Sequence, residues 1–237
     1  MSIFAAELLG TCLLILLGNG VVANVVLDQT KGNGSGLIVI TWGWAMAVFV
    51  GIVTVGQYSG AHMNPAVTVA LMAVGKLGMS EAAAYFGGQI CGAAIGAVLV
   101  WLQYRSHFAV TADADAKLAA FCTGPAIRHS FNNLLSEVLG TAVLILVVLL
   151  KVAPDNELGA VDALPVALTV LAVGLCLGGT TGYAINPVRD LIPRLVHQLL
   201  PIPGKRDSDW SYAWIPVVGP ILGALLAVLI LQAAAGA

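Results

Sequence analysis

The chain has 237 residues, of which 59% are hydrophobic and only 9% charged, and its mean hydropathy is +0.95. A soluble domain carries about 25% charged residues, so this composition excludes a water-dispersed domain and indicates an integral membrane protein. The formal net charge of −2 offers no basic patch for nucleic acid, and the four cysteines (Cys12, Cys91, Cys122 and Cys176) have no metal-ligand spacing.

A membrane-spanning helix needs about 20 largely apolar residues. The first span is expected at 4–26, where Glu7 enters early and no basic segment precedes it; the run reads as a retained span rather than a cleaved signal. The next uncharged run, 32–75, is too long for one crossing. It divides at the polar stretch SGAHMNP into a span at 36–57 and a short apolar remnant, 65–75. Further spans follow at 82–103, 131–151, 163–181 and 212–234, with a second remnant at 187–200. The segment 105–129 is expected to be a loop and carries most of the loop charge.

Both remnants are too short to cross a bilayer, and both begin with Asn-Pro: Asn64-Pro65-Ala66 and Asn186-Pro187-Val188. Proline at the first helical position sacrifices no hydrogen bond, and asparagine before it is a good N-cap. A lone Asn-Pro suggests a surface turn. Two copies flanked by spanning-grade sequence instead indicate two re-entrant half-helices.

The two halves also resemble each other. AELLGTCLLIL (6–16) parallels SEVLGTAVLIL (136–146), and GQICGAAIGAVL (88–99) parallels GPILGALLAVLI (219–230). Each half is then span, span, half-helix, span. Three spans per half is odd, so the second half enters the membrane inverted. The repeats are 1–104 and 130–237, joined by 105–129, within one transmembrane domain covering 1–237. Glycines at every fourth residue, Gly88, Gly92 and Gly96, and Gly219 and Gly223, suit close helix packing in lipid.

Inversion brings the two half-helix N-termini together near the midplane, where irregular backbone must be buried or line a wet cavity. Two positive dipole ends oppose cations, while the amides of Asn64 and Asn186 offer donors to a neutral hydroxyl. Arg189, one turn into the second half-helix, is the sole Lys or Arg between 163 and 193 and is expected to face a polar lumen. Arg194 suits a snorkelling position at the interface. Asp190 complements the helix dipole and reads as orienting nearby loop backbone, since adjacent helical positions do not favour a salt bridge to Arg189. Glu7 and Glu137 require donors if buried, and the loops before the half-helices can supply them; bracing is favoured over proton transport. His62 either anchors its loop or lines the lumen. His107, His129 and His197 read as peripheral.

The half-helix stretches SGAHMNPAVT and GYAINPVRD, with the paired ExLGT spans, resemble the aquaporin (major intrinsic protein) family over nearly the whole chain. Asp190 directly after the arginine resembles its glycerol-facilitator (aquaglyceroporin) branch. The resemblance implies an all-α membrane protein of aquaporin-like fold, with six transmembrane helices and two re-entrant half-helices in an inverted repeat. It implies a passive channel for glycerol, other small neutral solutes and water that excludes protons and ions. No cofactor or metal is implied. The lipid bilayer and a homotetramer are implied as partners, in a bacterial plasma membrane with both termini cytoplasmic. Carried over by spacing from the motifs, the narrowest constriction is Trp44, Gly174, Tyr183 and Arg189. Water-selective members place a histidine and bulkier residues there, so this chain implies a wider opening with an apolar wall. Val188 stands where most members have alanine. Urea, dihydroxyacetone, undissociated lactic acid and hydrogen peroxide stay open as further solutes.

The implied topology puts Lys31, Arg105, Lys117, Arg128, Lys205 and Arg206 outside and only Lys76 and Lys151 inside, against the positive-inside rule. An ion- or proton-coupled transporter would need more ionisable groups along the spans. A membrane enzyme would need a nucleophile set, paired carboxylates or a metal cluster, and the sequence carries none of these patterns.

Overall fold

The computed structural model describes residues 1–150 and 159–235, and among these every regular element is helical. In chain order the helices are α1 (Ile3–Val26), α2 (Leu37–Ser59), α3 (Pro65–Ala73), α4 (Met79–Gln103), α5 (Arg105–Val110), α6 (Ala114–Ala119), α7 (Ser130–Leu150), α8 (Leu164–Leu177), α9 (Pro187–Leu199) and α10 (Ile215–Ala235). A 3₁₀ turn, Gly159–Ala163, leads into α8, and together they supply the fifth of six helical segments long and apolar enough to cross a membrane. The chain is therefore a multi-pass integral membrane protein. Lys151, the expected end of the fourth span, lies outside the described residues.

Span boundaries follow the hydropathy to within a few residues, with two departures that have physical causes. Helix α8 stops at Leu177 instead of 181. A Cβ on Gly178 would sit 2.4 Å from the Tyr183 ring, so the chain leaves the helix where that ring must enter. The segment 105–129, expected as loop, contains α5 and α6. These are six-residue helices, too short for periodicity to reveal, and α6 is started by Asp113, whose Oδ1 accepts from the amides of Asp115 (2.8 Å) and Ala116 (3.2 Å).

The two halves pack alike. Helix α1 runs along α4 as α7 runs along α10, and α1 meets α2 as α7 meets α8. Small residues make the close crossings possible: a Cβ on Gly92 would lie 2.3 Å from the Leu8 carbonyl oxygen, and one on its counterpart Gly223 would lie 2.4 Å from that of Val138. Large apolar side chains such as Ile38, Phe131 and Leu199 point outward, as a lipid-facing surface requires.

Helices α3 and α9 have 9 and 13 residues. At about 1.5 Å per residue they are far short of the roughly 30 Å hydrocarbon core. Each packs against the opposite half as well as its own: α3 on α10, and α9 on α4. The half-helices thus lock the two repeats around one shared centre.

Candidate functional site

The segments leading into α3 and α9 are irregular, and a buried carboxylate organises each. Glu7, fully buried, accepts from Ser59 Oγ (2.6 Å), the His62 amide (2.9 Å), the Met63 amide (2.7 Å) and Gln89 Nε2 (2.9 Å). Glu137, equally buried, accepts from Thr181 Oγ1 (2.7 Å), the Ala184 amide (3.0 Å) and the Ile185 amide (2.8 Å). In a planar trans peptide the C=O points opposite to the N–H. Drawing these amides toward the glutamates therefore turns the carbonyls of Ala61, His62, Tyr183 and Ala184 the other way, toward the cavity those residues line. The geometry needs left-handed backbone at matching places: Ala61 (φ 51°) and Met63 (φ 48°) in one loop, Tyr183 (φ 40°) and Ile185 (φ 42°) in the other. Such conformations are strained for non-glycine residues, for β-branched Ile185 most of all, and the glutamates hold them.

Asn64 and Asn186 cap the half-helices. Asn64 Oδ1 accepts from the Ala66 amide (2.9 Å), and Asn186 Oδ1 from those of Val188 (3.1 Å) and Arg189 (3.2 Å). Their amide nitrogens reach across the molecular centre: Asn64 Nδ2 donates to the Ile185 carbonyl (2.9 Å) and Asn186 Nδ2 to that of Met63 (2.8 Å). Each amide carries a second N–H, and both residues line the cavity. Pro65 and Pro187 occupy the first helical positions. Ala66 and Val188 are buried in packing and are not among the cavity-lining residues, so Val188 acts on the contact between elements rather than on the lumen wall.

The cavity has a volume of about 320 Å³ and is lined by both loops, both asparagines and apolar side chains of α1, α2, α7 and α8. Trp44, Tyr183 and Arg189 all line it. The Arg189 guanidinium carbon lies 4.0 Å from the centre of the Trp44 ring, a cation–π contact. Gly174 does not line the cavity. Its role is to leave room: a Cβ there would lie 2.8 Å from Tyr183 Cζ, so the tyrosine ring occupies the place of a side chain at 174. The Tyr183 hydroxyl is buried with no hydrogen-bond partner among the described residues, so it presents ring, not hydroxyl, to the cavity. His62 also lines the cavity, with Nδ1 3.1 Å from Thr68 Oγ1 and its ring stacked on Tyr85 at 4.0 Å.

Behind Arg189, two expectations are corrected. Arg194 does not snorkel; it is fully buried. It donates from Nε to Asp190 Oδ1 (2.8 Å), from Nη1 to the Ser208 (2.8 Å) and Asp209 (3.2 Å) carbonyls, and from Nη2 to the Thr123 carbonyl (2.7 Å). Asp190 lies one turn earlier on α9, and loop carbonyls satisfy the remaining donors, which is what a buried guanidinium requires. Asp190 Oδ2 also accepts from Thr123 N and Oγ1, both at 2.7 Å, while no ion pair joins it to Arg189 among the described residues. His197 is likewise buried rather than peripheral, 2.8 Å from Ser208 Oγ and packed against Phe121. His107 and His129 do lie toward the periphery.

A family model described as "Major intrinsic protein" matches residues 1–231. The chain belongs to the major intrinsic protein family. Within the family it is 54% identical over 226 residues to a probable glycerol uptake facilitator protein of Thermotoga maritima, covering 95% of this chain and 96% of that one. It is 51% identical over 230 residues to the glycerol uptake facilitator protein of Streptococcus pneumoniae strain R6, covering 97% and 98%. An X-ray structure of the aquaglyceroporin from Plasmodium falciparum superposes with a TM-score of 0.84 at 30% identity, covering 95% of this chain and 93% of that one. These matches fall on the glycerol-facilitator branch of the family. They show the aquaporin-like fold, with its two half-helices inside six spans.

Sequence reasoning missed three groups at this family member's centre. Asp162, in the 3₁₀ turn before α8, lines the cavity. Thr123 holds Asp190 from the connecting segment. Asn19, on α1, accepts from Arg189 Nη1 at 3.4 Å. A search for charges alone passes over Asn19; an uncharged amide inside a span is the signal that would have found it.

Proposed function

We propose that the chain is a passive channel carrying glycerol, other small neutral solutes and water across a membrane, while excluding protons and ions. The observation that carries this reading is the corner formed by Trp44, Tyr183 and Arg189: two aromatic faces for the carbon side of a polyol and a guanidinium donor for its hydroxyls. The same corner supports reading Trp44, Gly174, Tyr183 and Arg189 as the selectivity filter, with Gly174 acting through the room it leaves.

Passage follows from groups already described. A hydroxyl leaving the filter meets the line of loop carbonyls as acceptors, then the free N–H of Asn64 and of Asn186 as donors. Both asparagines stand at helix N-termini, whose partial positive charge raises the energy of a cation or hydronium at that point. Besides Tyr183, whose phenol oxygen is buried, the ionisable cavity-lining side chains among the described residues are Arg189, Asp162 and His62, too few and too unlike for a proton relay. Glu7 and Glu137 are committed to loop donors. The reaction class is facilitated diffusion, with no covalent step.

The wider organisation belongs to the same proposal: inverted repeats 1–104 and 130–237 joined by 105–129, a homotetramer, and residence in a bacterial plasma membrane with both termini cytoplasmic. Urea, dihydroxyacetone, undissociated lactic acid and hydrogen peroxide are the neutral solutes to test beside glycerol. Stopped-flow light scattering on proteoliposomes tests the function. Glycerol flux proportional to its gradient and indifferent to imposed ion gradients is expected; saturable or ion-dependent flux would overturn the channel reading.

A further inference from the structure

We infer that the adjacent pair Gly18–Asn19 on α1 sets the position of the filter: Asn19 holds the guanidinium of Arg189, and Gly18 fixes how far back the Trp44 ring sits. This inference rests on the proposed filter and extends it to residues behind the lumen wall.

Asn19 is 1% exposed and does not line the cavity. Its Nδ2 donates to the Phe121 carbonyl at 3.0 Å and its Oδ1 accepts from Arg189 Nη1 at 3.4 Å. The amide can adopt only this orientation, because a carbonyl only accepts and a guanidinium only donates. Phe121 is itself rigidly placed: fully buried, its ring lies 5.5 Å from that of Phe108 and 5.4 Å from that of His197. Asn19 therefore refers the guanidinium to a fixed point in the connecting segment. Among the described residues it is the one side-chain hydrogen-bond partner of Arg189, so the remaining N–H groups are left for the cavity that Arg189 lines.

Gly18 works on the other half of the same corner. A Cβ at this position would lie 2.2 Å from Trp44 Cζ3 and 2.4 Å from Cε3, contacts that no side chain can make. The indole is rigid, so any residue larger than glycine must displace it from the place where Arg189 now stacks on it. One turn edge of α1 thus backs both the apolar and the donating element of the filter.

The test compares glycerol and water permeability in the same proteoliposomes, because their ratio is a property of each open channel and not of how much protein folded. Asn19→Leu keeps the side-chain size and removes both hydrogen bonds; the glycerol-to-water ratio is expected to fall roughly three- to tenfold, the worth of the one bond lost to Arg189. Gly18→Ala is expected to lower the ratio in the same direction. Gly20→Ala, where an added Cβ meets nothing within 4 Å, is the control and should leave the ratio unchanged. An unaltered ratio in Asn19→Leu and Gly18→Ala, or an equal fall in Gly20→Ala, would overturn the positioning role. Absence of glycerol flux in the parent chain would instead overturn the proposed function.

Discussion

The guanidinium carbon of Arg189 sits 4.0 Å from the centre of the Trp44 ring, so the donor and the apolar face of the proposed filter are a single contacting unit. Removing the ring removes the apolar wall and also the surface on which the guanidinium rests. Trp44→Ala is therefore expected to admit solutes with less discrimination, lowering the glycerol-to-urea permeability ratio by roughly three- to tenfold. Unchanged glycerol, urea and water permeabilities in proteoliposomes would remove Trp44 from the filter.

Tyr183 contributes its ring and hides its hydroxyl. The hydroxyl is buried without a partner among the described residues, and such a group is a liability to folding. Tyr183→Phe is expected to leave glycerol permeability unchanged and to raise stability by about 1 kcal/mol. Loss of glycerol flux in this variant would mean that the hydroxyl reaches the solute.

Much of this arrangement could be read in the chain. The six spans follow from hydropathy, because lipid demands long uninterrupted apolar runs. The half-helices follow from Asn64-Pro65 and Asn186-Pro187, since an N-cap and a first-position proline define a helix start locally. What could not be read depends on contacts distant in sequence. Arg194 resembles any interfacial arginine until Ser208, Asp209 and Thr123 are folded around it. Asn19 is one polar letter in an apolar run until Arg189 arrives from 170 positions away. The room that Gly174 leaves is visible only once Tyr183 fills it.

Glu137 accepts from Thr181, Ala184 and Ile185, and an amide cannot replace it. In Glu137→Gln, whichever way the amide is turned, its NH₂ faces a donor. The expected loss is roughly 1–3 kcal/mol, seen as a lower thermal midpoint in detergent, with a reduced glycerol-to-water ratio as the loop carbonyls lose their aim. A variant as stable and as selective as the parent would show that Glu137 does not brace the loop.

The Arg194–Asp190 pair is buried on both sides. Arg194→Met leaves Asp190 charged and half-partnered, and a destabilisation of about 3–5 kcal/mol is expected. The double variant Arg194→Met with Asp190→Asn should lose clearly less than the sum of the two single changes, because no unpaired charge remains. Additive losses in thermal unfolding would show that the two side chains act independently.

Asp209 ties the segment before α10 to Arg128. Burial pushes its carboxyl up, but hydrogen bonds from Arg128 and Ser211 and the charges of Arg128 and Arg194 outweigh this, so it titrates below the ordinary aspartate value. A lowered folded-state pKa adds stability that is full above the unfolded-state value and is lost as pH falls through the lowered one. The parent should therefore exceed Asp209→Asn in thermal midpoint at neutral pH, by well under about 1 kcal/mol given the exposed arginine. The gap should close in strong acid. A gap that persists there would assign the difference to something other than this charge.

The crossed amides of Asn64 and Asn186 grip main-chain carbonyls, not side chains. Every residue type offers the same carbonyl, so the junction between the halves does not depend on which side chains stand at positions 63 and 185. Met63 and Ile185 can be exchanged for any residue that packs well, keeps an amide N–H for its glutamate and accepts the positive φ, whereas neither asparagine has a substitute that can both cap its own helix and reach across. The centre of the molecule is thus tolerant of change in its surroundings and intolerant at two positions, which leaves the channel wall free to be retuned for a different solute while the join that holds it stays the same.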